Sequence, residues 1–124
     1  MMRSEGWKEY VKSEKEKYKK IGYVECPAFG NERVYFNNYG FDHLVYKGRI
    51  PRPNSEVIKR FHLLSDVYSV LKKLKSVDQE EKRIKGESCA YFWTVRGSVN
   101  NRKIRIILRR LGNSTIHFFS VMLE

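Results

Sequence analysis

Three histidines, His43, His62 and His117, are the side chains of this 124-residue chain with an ordinary pKa suited to moving protons near neutrality. His43 sits in GFDHLVYKGR, closely followed by Lys47 and Arg49. The last third of the chain holds Arg96, Arg102, Lys103, Arg105, Arg109 and Arg110, with no Asp or Glu between Ser88 and Leu123. An imidazole can take or return a proton, a guanidinium fork can bind two oxygens of one phosphate, and a serine or threonine hydroxyl can donate to the same oxygens. Together these are the groups needed to cleave a phosphodiester. The sequence lacks the clustered carboxylates that hold magnesium, and Cys26 and Cys89 are isolated, with no CxxC of a cysteine-rich zinc site. No metal and no cofactor is expected.

Each candidate also has a structural role open to it. His43 either handles protons or braces the loop around Leu44 and Val45. His62 lies beside an apolar helical stripe, where a structural role is favoured. His117 is expected on the apolar face of a sheet, paired with Leu108. Arg96 and Arg105 are either functional cations or solvated strand charges. Cys26 and Cys89 read as packed, reduced thiols of a cytoplasmic protein.

The elements that must position these groups follow from periodicity. Residues from about Ser4 to Lys20 form a charged helix with Trp7, Tyr10, Val11, Tyr18 and Ile21 near one side, an amphipathic arm docked on the core or a contact for a partner protein. The arm spans residues 1–21 and the main domain 22–124. Tyr23 to Cys26 and Arg33 to Asn37 are short strand candidates that fit a hairpin around Pro27, Gly30 and Asn31. A short helical turn from Phe41 to Tyr46 leads into a proline-bounded basic loop. Asn54 or Ser55 caps a core helix or helix pair, in which Val57, Ile58, Phe61, Leu64, Val67, Tyr68, Leu71 and Leu74 recur at helical spacing. The polar stretch from Lys75 to Glu87 reads as a mobile connection.

CAYFWTVRG, RKIRIILRRL and STIHFFSVML are three β-rich runs separated by turn signals, which predicts a C-terminal antiparallel meander. Pairing Leu111 with Ser114 brings Arg105 opposite Ser120. Pairing Gly97 with Arg102 brings Arg105 opposite Thr94. One face then carries Thr94, Arg96, Lys103, Arg105, Arg109 and Ser120, and the other Tyr91, Trp93, Val95, Ile104, Ile106, Leu108, Phe119, Val121 and Leu123. The expected fold class is a single α+β domain, with N-terminal helices packed on the apolar face of the meander and the basic face left open.

Twenty-five Lys and Arg against 14 Asp and Glu leave a formal net charge of +11, while 41% hydrophobic residues are enough for a core. The excess charge therefore belongs to a folded surface and suits a polyanion, with nucleic acid expected ahead of an anionic membrane surface, which is usually bound by a basic amphipathic helix rather than by strands. No apolar run approaches the roughly 20 residues that cross a bilayer, and MMRSEGWKEY lacks the apolar stretch of a secretory signal.

The order FGNERVYFNNYGFDHLVYKGR, NSEVIKRFHLLSDVYSVL, YFWTVRG, KIRIILRR and IHFFSVM resembles the phage- and mobile-element-associated nucleases grouped with barnase, EndoU, colicin and RelE toxins, over roughly Cys26 to Met122. The resemblance implies a helical N-terminal part followed by a curved antiparallel sheet (the BECR fold) and RNA cleavage without metal. It also implies a toxin role in a toxin–antitoxin or mobile-element system, with an antitoxin or immunity protein as partner. It assigns the acid or base to His43, phosphate clamps to Arg96 and Arg105, and a hydrogen-bond donor to Ser120. Lys47, Arg49 and Arg60 would line the substrate groove, joined on the sheet by Thr94, Lys103 and Arg109. The alternatives are a non-catalytic basic module that binds RNA or DNA, and an interaction protein that docks an acidic partner through its charged helix.

Overall fold

The computed structural model describes residues 5–77, 79–85 and 88–124. The first helix, α1 (Glu5–Ile21), is pinned by Tyr18, which is 1% exposed. The Tyr18 ring packs with Phe36, Phe41 and Phe118, and its hydroxyl donates to the Asn37 carbonyl at 2.8 Å. One side chain thus joins the helix to three later segments. Strand β1 (Tyr23–Cys26) turns through Pro27–Phe29 into β2 (Glu32–Tyr35), the expected hairpin with a shorter second strand.

Helix α2 (Asn38–Val45) starts three residues before the turn expected from Phe41 to Tyr46, because Asn37 caps it, its Oδ1 accepting from the Gly40 N–H at 3.1 Å. The basic loop is a small hairpin of β3 (Tyr46–Lys47) and β4 (Ile50–Pro51). The core helix is a pair, α3 (Asn54–His62) and α4 (Leu64–Lys73), broken at Leu63. No side chain caps α3, which starts behind Pro53, so the caps expected at Asn54 or Ser55 do not form. Val57, Phe61, Leu64, Val67 and Leu71 are all buried, as their spacing predicts.

The segment expected to be a mobile connection contains a strand, β5 (Gln79–Lys85), antiparallel to β6 (Ser88–Val99) from Gln79↔Thr94 to Lys85↔Ser88. Its Glu80, Glu81, Lys82 and Arg83 give no apolar alternation, so the strand is invisible to a hydrophobic period. Those charges blunt the sheet edge. Strands β7 (Arg102–Leu111) and β8 (Ile116–Leu123) complete the meander, and among the described residues the main sheet runs β1-β2-β8-β7-β6-β5. The first hairpin joins it through a parallel β2–β8 pairing at Val34↔Ile116 and Tyr35↔His117. The architecture is α+β, helices against one face of a mostly antiparallel sheet.

Two features correct the expected register. Asn100 and Asn101, at φ 50° and 67°, close β6 onto β7 in a two-residue turn. Val99 therefore pairs with Arg102, and Gly97 with Ile104. Asparagine tolerates the left-handed conformation that such a turn demands. The pairing slides by two residues, so the faces are kept and the partners change: Arg105 lies opposite Arg96, and Thr94 opposite Ile107.

Between β7 and β8, the turn hydrogen bond from Ser114 to Leu111 forms as expected, but the ladder then slips twice. Arg110 pairs with Ile116, and a bulge leaves Phe119 unpaired between Leu108↔Phe118 and Ile107↔Ser120. Arg105 therefore meets Met122, not Ser120. The single row of Thr94, Arg105 and Ser120 does not form. His117, expected against Leu108 on the apolar face, pairs with Arg109 on the opposite one, and Phe118 takes its place in the core at 0% exposure. Phe119 is half-buried on the open side beside Phe92, and Leu123 is exposed, so neither belongs to the buried apolar face. A bulge turns two consecutive side chains to one side, here Phe119 and Ser120.

Candidate functional site

The bulge and α2 build the site together. A β-carbon at Gly40 would stand 2.4 Å from the Phe118 carbonyl oxygen, so only glycine lets α2 lie directly on the β8 backbone. That close seat brings Tyr39 and His43, one helical turn apart, over the bulge. The His43 ring lies 4.3 Å from that of Phe119, and Tyr39 stacks on Phe119 at 6.0 Å. Phe92 meets the same Phe119 edge-on.

Cations surround this aromatic group. The Arg109 guanidinium lies 4.1 Å from the Tyr39 ring centre and 4.8 Å from that of Phe119, and its Nε donates to His117 Nε2 at 3.0 Å. Because His117 accepts at Nε2, its neutral ring carries the proton on Nδ1. Burial first, and then the Arg109 charge, push its pKa down to about 4. His117 is a neutral brace for Arg109 at neutral pH.

A second group of cations comes from the β3–β4 hairpin and α3. Arg52 Nε donates to the His43 carbonyl at 3.0 Å, and its Nη1 reaches Glu56 Oε1 at 3.2 Å. Arg60 binds the same carboxylate oxygen at 3.0 Å and donates to the Val121 carbonyl at 2.7 Å and to Ser120 Oγ at 3.4 Å. Both arginines hold one carboxylate and touch opposite sides of the site, fixing α2 and β8 relative to α3.

His43 is half-buried and its Nδ1 is enclosed, close to the residue's own backbone. Its pKa is lowered, chiefly by burial, then by the charges of Arg52 and Arg60, against an opposing hydrogen bond to its own backbone and with a smaller contribution from Arg109. The ring is therefore a neutral base at physiological pH. It opens into a cleft of about 350 Å³ lined with Tyr39, Asp42, Tyr46 and Gly48. A neutral imidazole lining a cleft with several cations nearby is an arrangement able to deprotonate a hydroxyl next to a bound anion.

The other sequence-derived candidates are distributed differently. Arg96 and Arg105 face each other across β6 and β7, but Glu124 pairs with both, at 2.6 Å from Arg96 Nε and 3.9 Å from Arg105 Nε. Arg105 also points Nη2 at the Met122 sulfur. Four strand steps of β7 lead from Arg105 to Arg109, roughly 13 Å, so the pair expected to clamp phosphate lies well along the face from His43. Ser120 is 5% exposed and engaged by Arg60, which is itself 9% exposed. Lys47, Arg49 and Lys103 are exposed, and Thr94 is half-buried in the row of Ile107 and Ser120. His62 is exposed on α3, and Cys26 and Cys89 are free thiols, the first buried. Among the described residues no group of three or more His, Cys, Asp or Glu is assembled that could hold a metal ion.

Sequence reasoning missed Tyr39, Arg52, Glu56, Phe119 and the role of His117. Tyr39 and His43 share the i, i+4 spacing of a helix face, a signal that becomes readable once Asn37 is taken as a cap. Phe119 depends on the bulge and His117 on the slip beside the turn, for which β8 offers no glycine or other local mark, and Arg52 and Glu56 depend on how α3 packs against α2. No protein-family model, curated protein or solved structure matches the chain.

Proposed function

We propose that the chain is a metal-independent endoribonuclease in which neutral His43 takes the proton of a ribose 2′-hydroxyl. The freed oxygen attacks the adjacent phosphorus, the bond to the 5′-oxygen breaks, and a 2′,3′-cyclic phosphate is left on the upstream fragment. The departing 5′-oxygen takes its proton from water in the open cleft. Arg109, 8% exposed and held by His117 and the two aromatic rings, contributes its positive field to the charge gathering on phosphorus. Arg96, Arg105 and Lys103 extend the positive surface along the sheet.

The observation that carries this reading is His43 itself: an imidazole with a lowered pKa that lines a cleft and feels the charges of Arg52, Arg60 and Arg109. The resemblance to metal-free nucleases of mobile elements supports the same chemistry, and with it a toxin role and an antitoxin or immunity protein as partner. Incubation with total RNA in EDTA should yield fragments with cyclic phosphate ends, and His43→Ala should abolish cleavage while RNA is still bound. Intact RNA after incubation with the wild-type protein would overturn the proposal. A second reading, a non-catalytic RNA- or DNA-binding module, is favoured by one observation: Tyr39 is 54% exposed beside Phe119, a platform on which a base can stack. Binding without cleavage in that assay selects it.

A further inference from the structure

Helix α1 carries more than a docking face. At 3.6 residues per turn, Lys8, Lys12, Lys15 and Lys19 fall at i, i+4, i+7 and i+11, on one flank of the helix. Trp7, Tyr10, Val11, Tyr18 and Ile21 point inward, where they pack on the core, and Glu5, Glu9 and Glu16 are exposed on the outward side. Lys8, Lys12 and Lys15 line a groove of about 330 Å³ that ends on Tyr46, and Tyr46 also lines the His43 cleft. Tyr46 is 43% exposed, standing where the two depressions meet. The groove and the cleft are neighbours on one surface. Lys15 rests its ammonium 5.6 Å from the Phe41 ring, so the stripe is anchored against α2, the helix that carries His43.

We infer that the lysine flank of α1 is a second binding site, a track for the phosphate backbone of single-stranded RNA running on from the His43 cleft across Tyr46. From Lys8 to Lys19 the helix rises about 16 Å, a length that a few successive phosphates of an extended strand can follow. Each lysine offers a flexible point charge suited to backbone rather than base contacts. Tyr46 stands at the junction as a stacking surface for one base. A lipid surface fits less well: a helix that lies in a membrane interface inserts its apolar face, and here that face is committed to the core while the outward side is acidic. This inference rests on reading the His43 cleft as an RNA site, and it extends that site beyond the cleft.

The test compares the wild-type chain with a Lys8→Gln, Lys12→Gln, Lys15→Gln variant, its folding verified by circular dichroism. The probes are 2′-O-methyl oligouridylates of 4 and 12 nucleotides, which cannot be cleaved by 2′-hydroxyl attack, and affinity is followed by fluorescence anisotropy between 50 and 200 mM KCl. Three lost phosphate contacts should lower the slope of log K against log salt by about 2 for the 12-mer, with a loss of affinity of roughly tenfold or more at low salt and little change for the 4-mer. Unchanged affinity and slope on the 12-mer, equal losses on both lengths, or no wild-type binding to the 12-mer would each overturn the track. So would lysine-dependent binding to phosphatidylserine vesicles with no effect on the 12-mer. Wild-type binding with the predicted length dependence but no cleavage of total RNA keeps the track and removes the nuclease. Cleavage with an unaltered triple variant does the reverse.

Discussion

Gly40→Ala tests the feature on which the site depends, the direct seating of α2 on β8. The added β-carbon would meet the Phe118 carbonyl oxygen at 2.4 Å, the Tyr18 hydroxyl at 2.7 Å and Phe118 Cδ2 at 2.9 Å. The first of these is sheet backbone and cannot rotate away. Overpacking at such a place costs about 3 kcal/mol. Displacing the Tyr18 hydroxyl from its bond to Asn37 adds about 1 kcal/mol. Alanine regains about 1 kcal/mol through its better helix propensity. The net loss is about 3 kcal/mol, a large part of the stability of a domain of this size, and should lower Tm by about 12 °C. Urea denaturation followed by circular dichroism gives the free energy. Gly48→Ala is the comparison: its φ is +64° but nothing lies within 4 Å of a β-carbon there, so it should lose only about 1 kcal/mol, from the left-handed backbone. If Gly40→Ala is no more harmful than Gly48→Ala, α2 does not rest on the β8 backbone and the placement of His43 over Phe119 is wrong.

Further predictions concern the charges. Unfolded His117 takes up its proton near pH 6.5, whereas in the folded chain burial and Arg109 delay this to about 4, so the unfolded state binds more protons between those values and stability falls as pH drops through that window. From pH 7 to pH 5 this one residue should remove about 2 kcal/mol. His117→Gln should flatten urea-derived stability over that range by a similar amount; an unchanged slope would show that His117 is not buried against Arg109. Glu124→Gln should release Arg96 and Arg105 from their shared carboxylate and tighten the binding of short anionic oligonucleotides by up to about fivefold at low salt, an effect that salt screens away. Equal affinities at 50 mM KCl would mean that these arginines take no part in binding.

Elements built on a strong apolar period were legible without coordinates. The α3–α4 stripe from Val57 to Leu71 and the meander from Cys89 to Met122 bury side chains that their alternation marks as internal. Strand β5 was not, because pairing with β6 is carried by backbone hydrogen bonds that any residue type can make, and its side chains are mostly charged, with Ile84 as its one apolar residue. The basic face survived a wrong register, since a slide of two residues preserves which side each residue faces.

What the sequence determined by itself is the inventory and its rough disposition: a histidine at position 43, cations grouped in the last strands, an apolar core and an α+β order of elements. Those follow from residue type and local periodicity. The tertiary structure decided which of them meet. His117 was turned to Arg109 by a one-residue slip beside the turn, a bulge at Phe119 completed the separation of Arg105 from Ser120, and Glu124, just past the acid-free stretch, took up Arg96 and Arg105. Arg52 and Arg60 came to His43 through Glu56 and α3, across 9 and 17 positions of chain. Such meetings depend on ladder slips and on close approaches such as that at Gly40. Their free energy comes from neighbours far along the chain, so residue order alone leaves no local trace of them.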